Sequence, residues 1–200
     1  MRSHPSGVRQ IGVLGGTFDP IHVGHLVTAQ QVAEALGLEQ VLFVPAGRPW
    51  QKHPHQVTDA EHRLAMVELA VADNDDFATS RVDVDRPGAT YAVDTLRDLT
   101  AQFPSTAFSF IVGADALQGF RTWREPDAVL RSAHLVAVTR PGFTVTEVDM
   151  STRDYTTVAV TGFEVSSSDC RRRLRCGQSV RYLVPEPVRA YISEHRLYQP

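Results

Sequence analysis

Cysteine is nearly missing from this sequence: Cys170 and Cys176 are the only two, both in an arginine-rich stretch near the C-terminus. With no second pair they cannot complete a four-ligand zinc site. They read as free thiols of a reducing compartment, with a disulfide between them as the lesser alternative. Long apolar runs are also missing. No stretch approaches the roughly 18 residues of a spanning helix. "MRSHPSGVRQ" has two arginines but no signal-peptide core after them, because "IGVL" is cut off at Gly15 and Gly16. A cytoplasmic protein that does not engage membrane is therefore expected. An excess of positive charge is absent too. The net charge is -3, so no global basic field draws nucleic acid, although a local basic pocket remains compatible with that total. There is no internal repeat and no low-complexity tract.

What is present is ordinary globular material, 200 residues with 42% hydrophobic and 22% charged. That length covers one core well, and one domain over residues 1–200 is expected. Strand-length apolar runs alternate with helical patterns. "IGVL", "VLFVP", "AFSFIVG", "HLVAVT" and "TTVAVTGF" read as strands, as does the alternating "SRVDVD" at residues 80–85. Residues 23–36 place Leu26, Ala29, Ala33 and Leu36 on one helix face, with Gly37 as the stop. "TDAE" at residues 58–61 has capping-box form and opens a helix carrying Leu64, Val67 and Val71. Tyr91 to Gln102 spaces Ala92, Leu96, Leu99 and Phe103 helically. Two C-terminal helices are expected, around 168–175 and 187–195. Such alternation predicts an α/β fold: a Rossmann-like, doubly wound, mainly parallel sheet with helices on both faces and a C-terminal helical segment. Ligands bind such sheets beyond the carboxyl ends of the strands. The loops after "IGVL", "VLFV", "SFIV" and "AVTGF" should therefore converge. "RPGFTVTEVDMSTRD" is the least patterned stretch and reads as a loop.

One of those loops is dense in unusual residues. "GGTFDPIHVGHL" (15–26) follows the first strand and enters a helix. Glycines let a phosphate approach backbone N–H groups, and the helix start adds partial positive charge. His22 and His25 are three apart, so both can face one anion. A zinc reading needs a spacing of four with a glutamate, and here only Asp19 offers a third ligand. A tight turn with two surface histidines is the third reading. Other candidates have equally plain alternatives. Lys52 and Arg171 suit a solvated surface, "SSSDC" suits a helix cap, Trp123 suits the core, and "HPH" (53–55) suits an exposed loop.

Beyond these physical readings, "GTFDPIHVGH" resembles the signature of the nucleotidyltransferase superfamily. "VPAGRPWQK", "AEHRLAMVELA", "GATYAVDTL", "GADALQGFRTW", "EVSSSDCRRR" and "YLVPEPVRAYISEHRLY" resemble, in order along nearly the whole chain, segments of bacterial nicotinate-nucleotide adenylyltransferases. The resemblance implies adenylyl transfer from ATP to nicotinate mononucleotide, with release of pyrophosphate, in NAD biosynthesis. It implies that Gly15, Gly16, Thr17 and Phe18 meet phosphates, partly through backbone amides. His22 and His25 would stabilise charge on the ATP phosphates, and Lys52 would reach a phosphate from the second loop. Thr90 and Tyr91 would help recognise the pyridine carboxylate, and Gly113 and Asp115 would contact the adenylate. Trp123 would stack on the pyridine ring. Ser167, Ser168 and Arg171 would hold ATP. Mg2+ would arrive with ATP, with no protein ligand assigned. A homo-oligomer is compatible with the resemblance. Two stretches depart from the family pattern. Ala46 and Gly47 follow Pro45 where an asparagine is common, and "VSSSDCR" replaces a more aliphatic motif. A pantetheine-phosphate adenylyltransferase would share the opening loop but should lack "GATYAVDTL". A nucleotide-binding module without catalysis should lack one of the histidines or Lys52.

Overall fold

A computed structural model of the chain describes residues 7–50, 57–139, 155–162 and 164–199. Six strands form one sheet: β1 (Arg9–Gly16), β2 (Gln40–Pro45), β3 (Phe77–Thr79), β4 (Thr106–Gly113), β5 (His134–Thr139) and β6 (Tyr155–Ala159). Their order is β3-β2-β1-β4-β5-β6, and every pairing is parallel. The chain steps outward from β1 to β3, then returns to the other side of β1 with β4. That reversal between β1 and β4 opens a crevice beyond their carboxyl ends.

Each central strand is buried on both faces, so its apolar residues run without a break and alternate between two cores. Leu14, Phe43, Ile111 and Val136 face one layer. It contains α1 (Val23–Leu36), α2 (Ala60–Val71), α7 (Ser167–Arg175) and α8 (Glu186–Glu194). Ile11, Val13, Leu42, Phe110 and Leu135 face the other, where α4 (Ala92–Gln102) and α6 (Pro126–Ser132) pack through Leu96, Leu99 and Val129. The doubly wound expectation is met.

Local expectations were met unevenly. α1 ends at Gly37, whose φ of 63° is the left-handed cap. The cap of α2 is Asp59, accepting from the Glu61 N–H at 2.9 Å, one residue past the expected Thr58. Residues 80–85 are not a strand. The strand is β3, just before them, and Val82–Asp85 form a short helix, α3. The reason is Asp83. Its carboxylate is buried at 3% exposure, where it accepts from the Thr95 hydroxyl at 2.8 Å and from Arg86 at 2.6 Å. Satisfying a buried carboxylate outweighs period-two alternation. Burial still pushes its pKa up, against those hydrogen bonds. The glycine of the β2 loop matters to the same contact. A Cβ on Gly47 would lie 2.0 Å from the carbonyl oxygen of Asp83, so the two backbones meet with no room for a side chain. β6 stops at Ala159, opposite Thr139, the last residue of β5; the expected strand ran four residues further. Between β4 and β5 lie α5 (Ala114–Gln118), a 3₁₀ turn at Phe120–Thr122 and α6, none of them expected. The "RPGFTVTEVDMSTRD" loop (140–154) lies outside the described residues.

Both cysteines are free thiols, Cys170 buried in α7 and Cys176 exposed just after it. Burial, the largest cause, pushes the Cys170 thiol up to about 11. In the native protein at pH 8, a thiol reagent should therefore modify Cys176 quickly and Cys170 only after unfolding. Titration with and without denaturant checks this: one fast equivalent against two. Two fast equivalents in the folded protein would contradict the burial of Cys170.

Candidate active site

β1 is longer than its apolar core. Gly15 and Gly16 belong to its last rungs, opposite Val44 and Pro45. The two glycines have different reasons. A Cβ on Gly16 would lie 2.9 Å from the Phe18 ring, which folds back over it from a left-handed backbone (φ 50°). A Cβ on Gly15 would meet only Phe110, at an ordinary 3.7 Å. Packing does not demand glycine there. Its bare backbone instead faces a cleft.

His22 and His25 stand at the entry to α1. His22 is the N-cap residue, buried at 4% exposure, and His25 is three positions on. The His25 Nδ1 accepts the His22 backbone N–H at 3.1 Å, the same reach-back by which a glutamate closes a capping box. An accepting Nδ1 puts the proton of the neutral ring on Nε2. The two rings stack at 3.7 Å between centroids, 24° apart, and the Phe18 edge braces His25 at 5.0 Å. Gly24 completes the arrangement, since a Cβ there would press on Val165 and His22 at 3.0 and 3.1 Å.

These groups line a cleft of about 470 Å³ shared by Gly15, His22, His25, Gly113 and Trp123. An adjoining recess of about 430 Å³ is lined by Trp50, Tyr91, Trp123 and Arg124. Trp123 borders both, packed against Phe120 at 5.3 Å and edge-on to Phe110 at 6.2 Å. Five of the expected site residues thus meet in one cleft, and Tyr91 joins them through Trp123. Asp115 stands in the first turn of α5, two residues beyond Gly113. The Phe18 ring is in the core, so its backbone is what a ligand could reach. Thr90 accepts the Arg48 N–H at 3.2 Å and donates its own backbone N–H to the Arg48 carbonyl at 2.9 Å; it holds the loop that follows β2. Lys52 and His53 to His55 lie outside the described residues.

Ser167 and Arg171 reach the opening loop through their hydrogen bonds, and Ser168 bonds to Arg171. The Ser167 hydroxyl donates to the Pro20 carbonyl at 2.8 Å. Arg171 donates to the Asp19 carbonyl at 2.7 Å and to the Ser168 hydroxyl at 3.3 Å. The expected helix cap is present as well, at Ser166, which accepts the Asp169 N–H. The Asp19 carboxylate, the one extra zinc ligand considered, is buried and committed. It accepts from Tyr198 at 2.7 Å and from the Thr58 N–H at 3.4 Å. Among the described residues no cluster of three metal-ligating side chains occurs, and no helix is long and apolar enough to cross a membrane.

The pattern gave little warning of Arg63. It is 1% exposed and donates to three loop carbonyls: Thr17 at 2.8 Å, Gly47 at 2.9 Å and Thr58 at 2.8 Å. Burial lowers its pKa, with Asp19 opposing. One guanidinium fork therefore ties together the loops after β1 and β2 and the entry to α2. A signal existed. Arg63 precedes Leu64 and stands four before Val67 on the apolar face of α2, an odd place for an unpaired charge.

Residues 13–173 match the cytidylyltransferase-like family model. A protein of Leifsonia xyli named "Probable nicotinate-nucleotide adenylyltransferase" is 50% identical over 190 residues, covering 95% of this chain and 94% of that one. One of the same name from Streptomyces coelicolor is 47% identical over 186 residues, covering 93% and 99%. In structure, the nicotinic acid mononucleotide adenylyltransferase of Plasmodium falciparum complexed with NaAD superimposes with a TM-score of 0.80 at 18% identity, covering 95% of this chain and 97% of that one.

Proposed function

The chain belongs to the nicotinate-nucleotide adenylyltransferase family of cytidylyltransferase-like proteins, and from that membership we infer its reaction: adenylyl transfer from ATP to nicotinate mononucleotide. The products are nicotinate adenine dinucleotide and pyrophosphate, a step of NAD biosynthesis. We read the whole chain as one such domain, working in the cytoplasm on small nucleotides rather than on nucleic acid.

The observation that carries this reading is the cleft in which bare Gly15, the stacked histidines and Trp123 meet. It offers an anion-binding end at the start of α1 and an aromatic end at Trp123. A phosphate oxygen of the mononucleotide attacks the α-phosphorus of ATP. The bond from that phosphorus to the oxygen bridging toward the β-phosphate breaks, and pyrophosphate leaves with the electron pair. The attacking phosphate is already mostly ionised at neutral pH, its second pKa being about 6. No strong base is required, so catalysis rests on positioning and on charge stabilisation. The Nε2–H of His25 and the backbone N–H groups of β1 and α1 suit that role. In this reading His22, Lys52 and Arg171 serve the phosphates; Gly113 and Asp115 serve the adenylate; and Thr90 and Tyr91 shape the pyridine end. Mg2+ would come with ATP as part of the substrate and would supply neutralisation of the phosphate charge, with no protein ligand assigned.

Pyrophosphate release should be measured with MgATP and each of nicotinate mononucleotide, its amide and phosphopantetheine. Turnover with a pyridine nucleotide supports the reading; turnover with phosphopantetheine alone overturns it. Trp123→Ala should raise KM for the pyridine nucleotide roughly 5- to 100-fold, the range set by loss of one base–aromatic stack. The effect on kcat should be smaller. An unaltered KM would remove Trp123 from the pyridine site.

A further inference from the structure

We propose that Arg124 is the residue that selects the acid over the amide form of the pyridine nucleotide, by placing its guanidinium at the substrate carboxylate; this rests on the functional reading above. Among the described residues lining the recess beside Trp123, Arg124 is the one that carries a charge. The rest of its wall is aromatic or small, with Trp50 and Tyr91 stacked at 6.2 Å and 26°. A planar ring bearing one negative group matches such a wall: the ring meets aromatic faces and the charge meets the cation.

Arg124 is held for this task. Its guanidinium carbon lies 4.9 Å from the centre of the Tyr91 ring, a cation–π contact that fixes the head group over a rigid platform. Its backbone is set between the 3₁₀ turn and α6, where Glu125 adopts a left-handed φ of 50° and Pro126 starts the helix. Its acidic neighbours leave donors to spare. Asp94 accepts from Arg97 at 2.6 Å and lies 3.7 Å from Arg124. Glu125 lies at 3.8 Å. Both distances to Arg124 exceed a hydrogen bond, so its donors stay open to an incoming carboxylate, which the fork matches in a bidentate manner. The same acids make the selection two-sided. Without Arg124, Glu125 and Asp94 would repel a carboxylate and leave the neutral amide less affected. Tyr91, expected to recognise the carboxylate itself, becomes the platform for the residue that does.

The test compares wild type, Arg124→Met and Arg124→Lys with the acid and the amide mononucleotide. Affinity is read from KM, or from the inhibition constant of the amide against the acid where amide turnover is too slow. Methionine keeps a long apolar stem over Tyr91 and removes the charge. Loss of a charge-assisted hydrogen bond to the carboxylate predicts that the acid-over-amide preference falls about 10- to 100-fold in Arg124→Met. The loss should lie mainly in KM for the acid, and Arg124→Lys should restore part of it. A preference within about threefold of wild type in Arg124→Met would overturn the proposal. If wild type turns over neither pyridine nucleotide, the functional reading fails instead. A misfolded variant is recognised by a parallel loss of amide affinity and a lowered Tm, and Arg124→Lys then decides: an acid-over-amide preference at least partly retained supports the charge, and equal affinity for acid and amide overturns it.

Discussion

His25→Ala is expected to lower kcat roughly 100- to 1,000-fold with the fold retained. That is the range for removing one well-placed donor from a charge-stabilising site. The structure defines what the substitution takes away. With Nδ1 accepting the His22 N–H at 3.1 Å, the ring presents Nε2–H as its donor, and Phe18 and His22 hold the ring by edge and face contacts. Alanine removes the donor and the cap acceptor together. The cap costs about 1 kcal/mol, or about 2–4 °C in Tm for a chain of this size, too little to unfold it. His25→Gln separates the two roles, because glutamine at this helix position can still reach back to the N-cap N–H. It should recover the Tm more fully than the turnover. Pyrophosphate release at saturating substrates, beside thermal unfolding, reads both. A kcat within tenfold of wild type for His25→Ala would remove the ring from the chemistry.

Arg63→Met should be the most destabilising single change in the site, by about 3–5 kcal/mol. Three part-buried carbonyls, of Thr17, Gly47 and Thr58, would lose their donor. A polar group left unsatisfied costs about 1–3 kcal/mol when buried, and partial access to water puts these toward the lower end. Removing a buried cation recovers part of that sum, which is why the total is lower than three times the upper figure. Asp19 also loses a cation that opposes its burial. The three carbonyls belong to the loops that carry Gly15–Phe18 and lead toward Lys52, so catalysis should fall with stability. Arg63→Lys keeps the charge but cannot reach three directions from one plane, and it should rescue only part of the loss. Denaturant unfolding checks the prediction; a change below about 1 kcal/mol for Arg63→Met would mean that water or neighbouring side chains replace the fork.

The elements that were legible share one property: their signal is local and repeated. β1, β2, β4 and β5 are apolar runs buried on both faces, and α1 and α4 carry several turns of one stripe. The errors share another. α5 and α6 are five and seven residues long, too short for a period to emerge. Residues 80–85 alternate as a strand would, but their conformation follows from Thr95, twelve residues beyond Asp83, and from Arg86, just after the stretch, which together make Asp83 a buried acceptor. β6 ends at Ala159, opposite Thr139, the last described residue of β5.

The site divides along the same line. Glycines and histidines were enough to make the loop after β1 a candidate anion site, the alternation of strand and helix patterns predicted the doubly wound class, and the resemblance of the ordered motifs pointed to the family. Other decisions needed the folded molecule. Gly16 is required by a ring two residues away that folds back over it, whereas Gly15 is spared by packing and left open to a ligand. Arg63 is a strut and Arg124 faces a recess, although both are arginines near apolar residues in the sequence. A charged side chain takes its role from the groups packed around it. Those groups, Thr17 with Gly47 in one case and Tyr91 with Asp94 in the other, come together only when the parallel sheet brings distant loops to one edge.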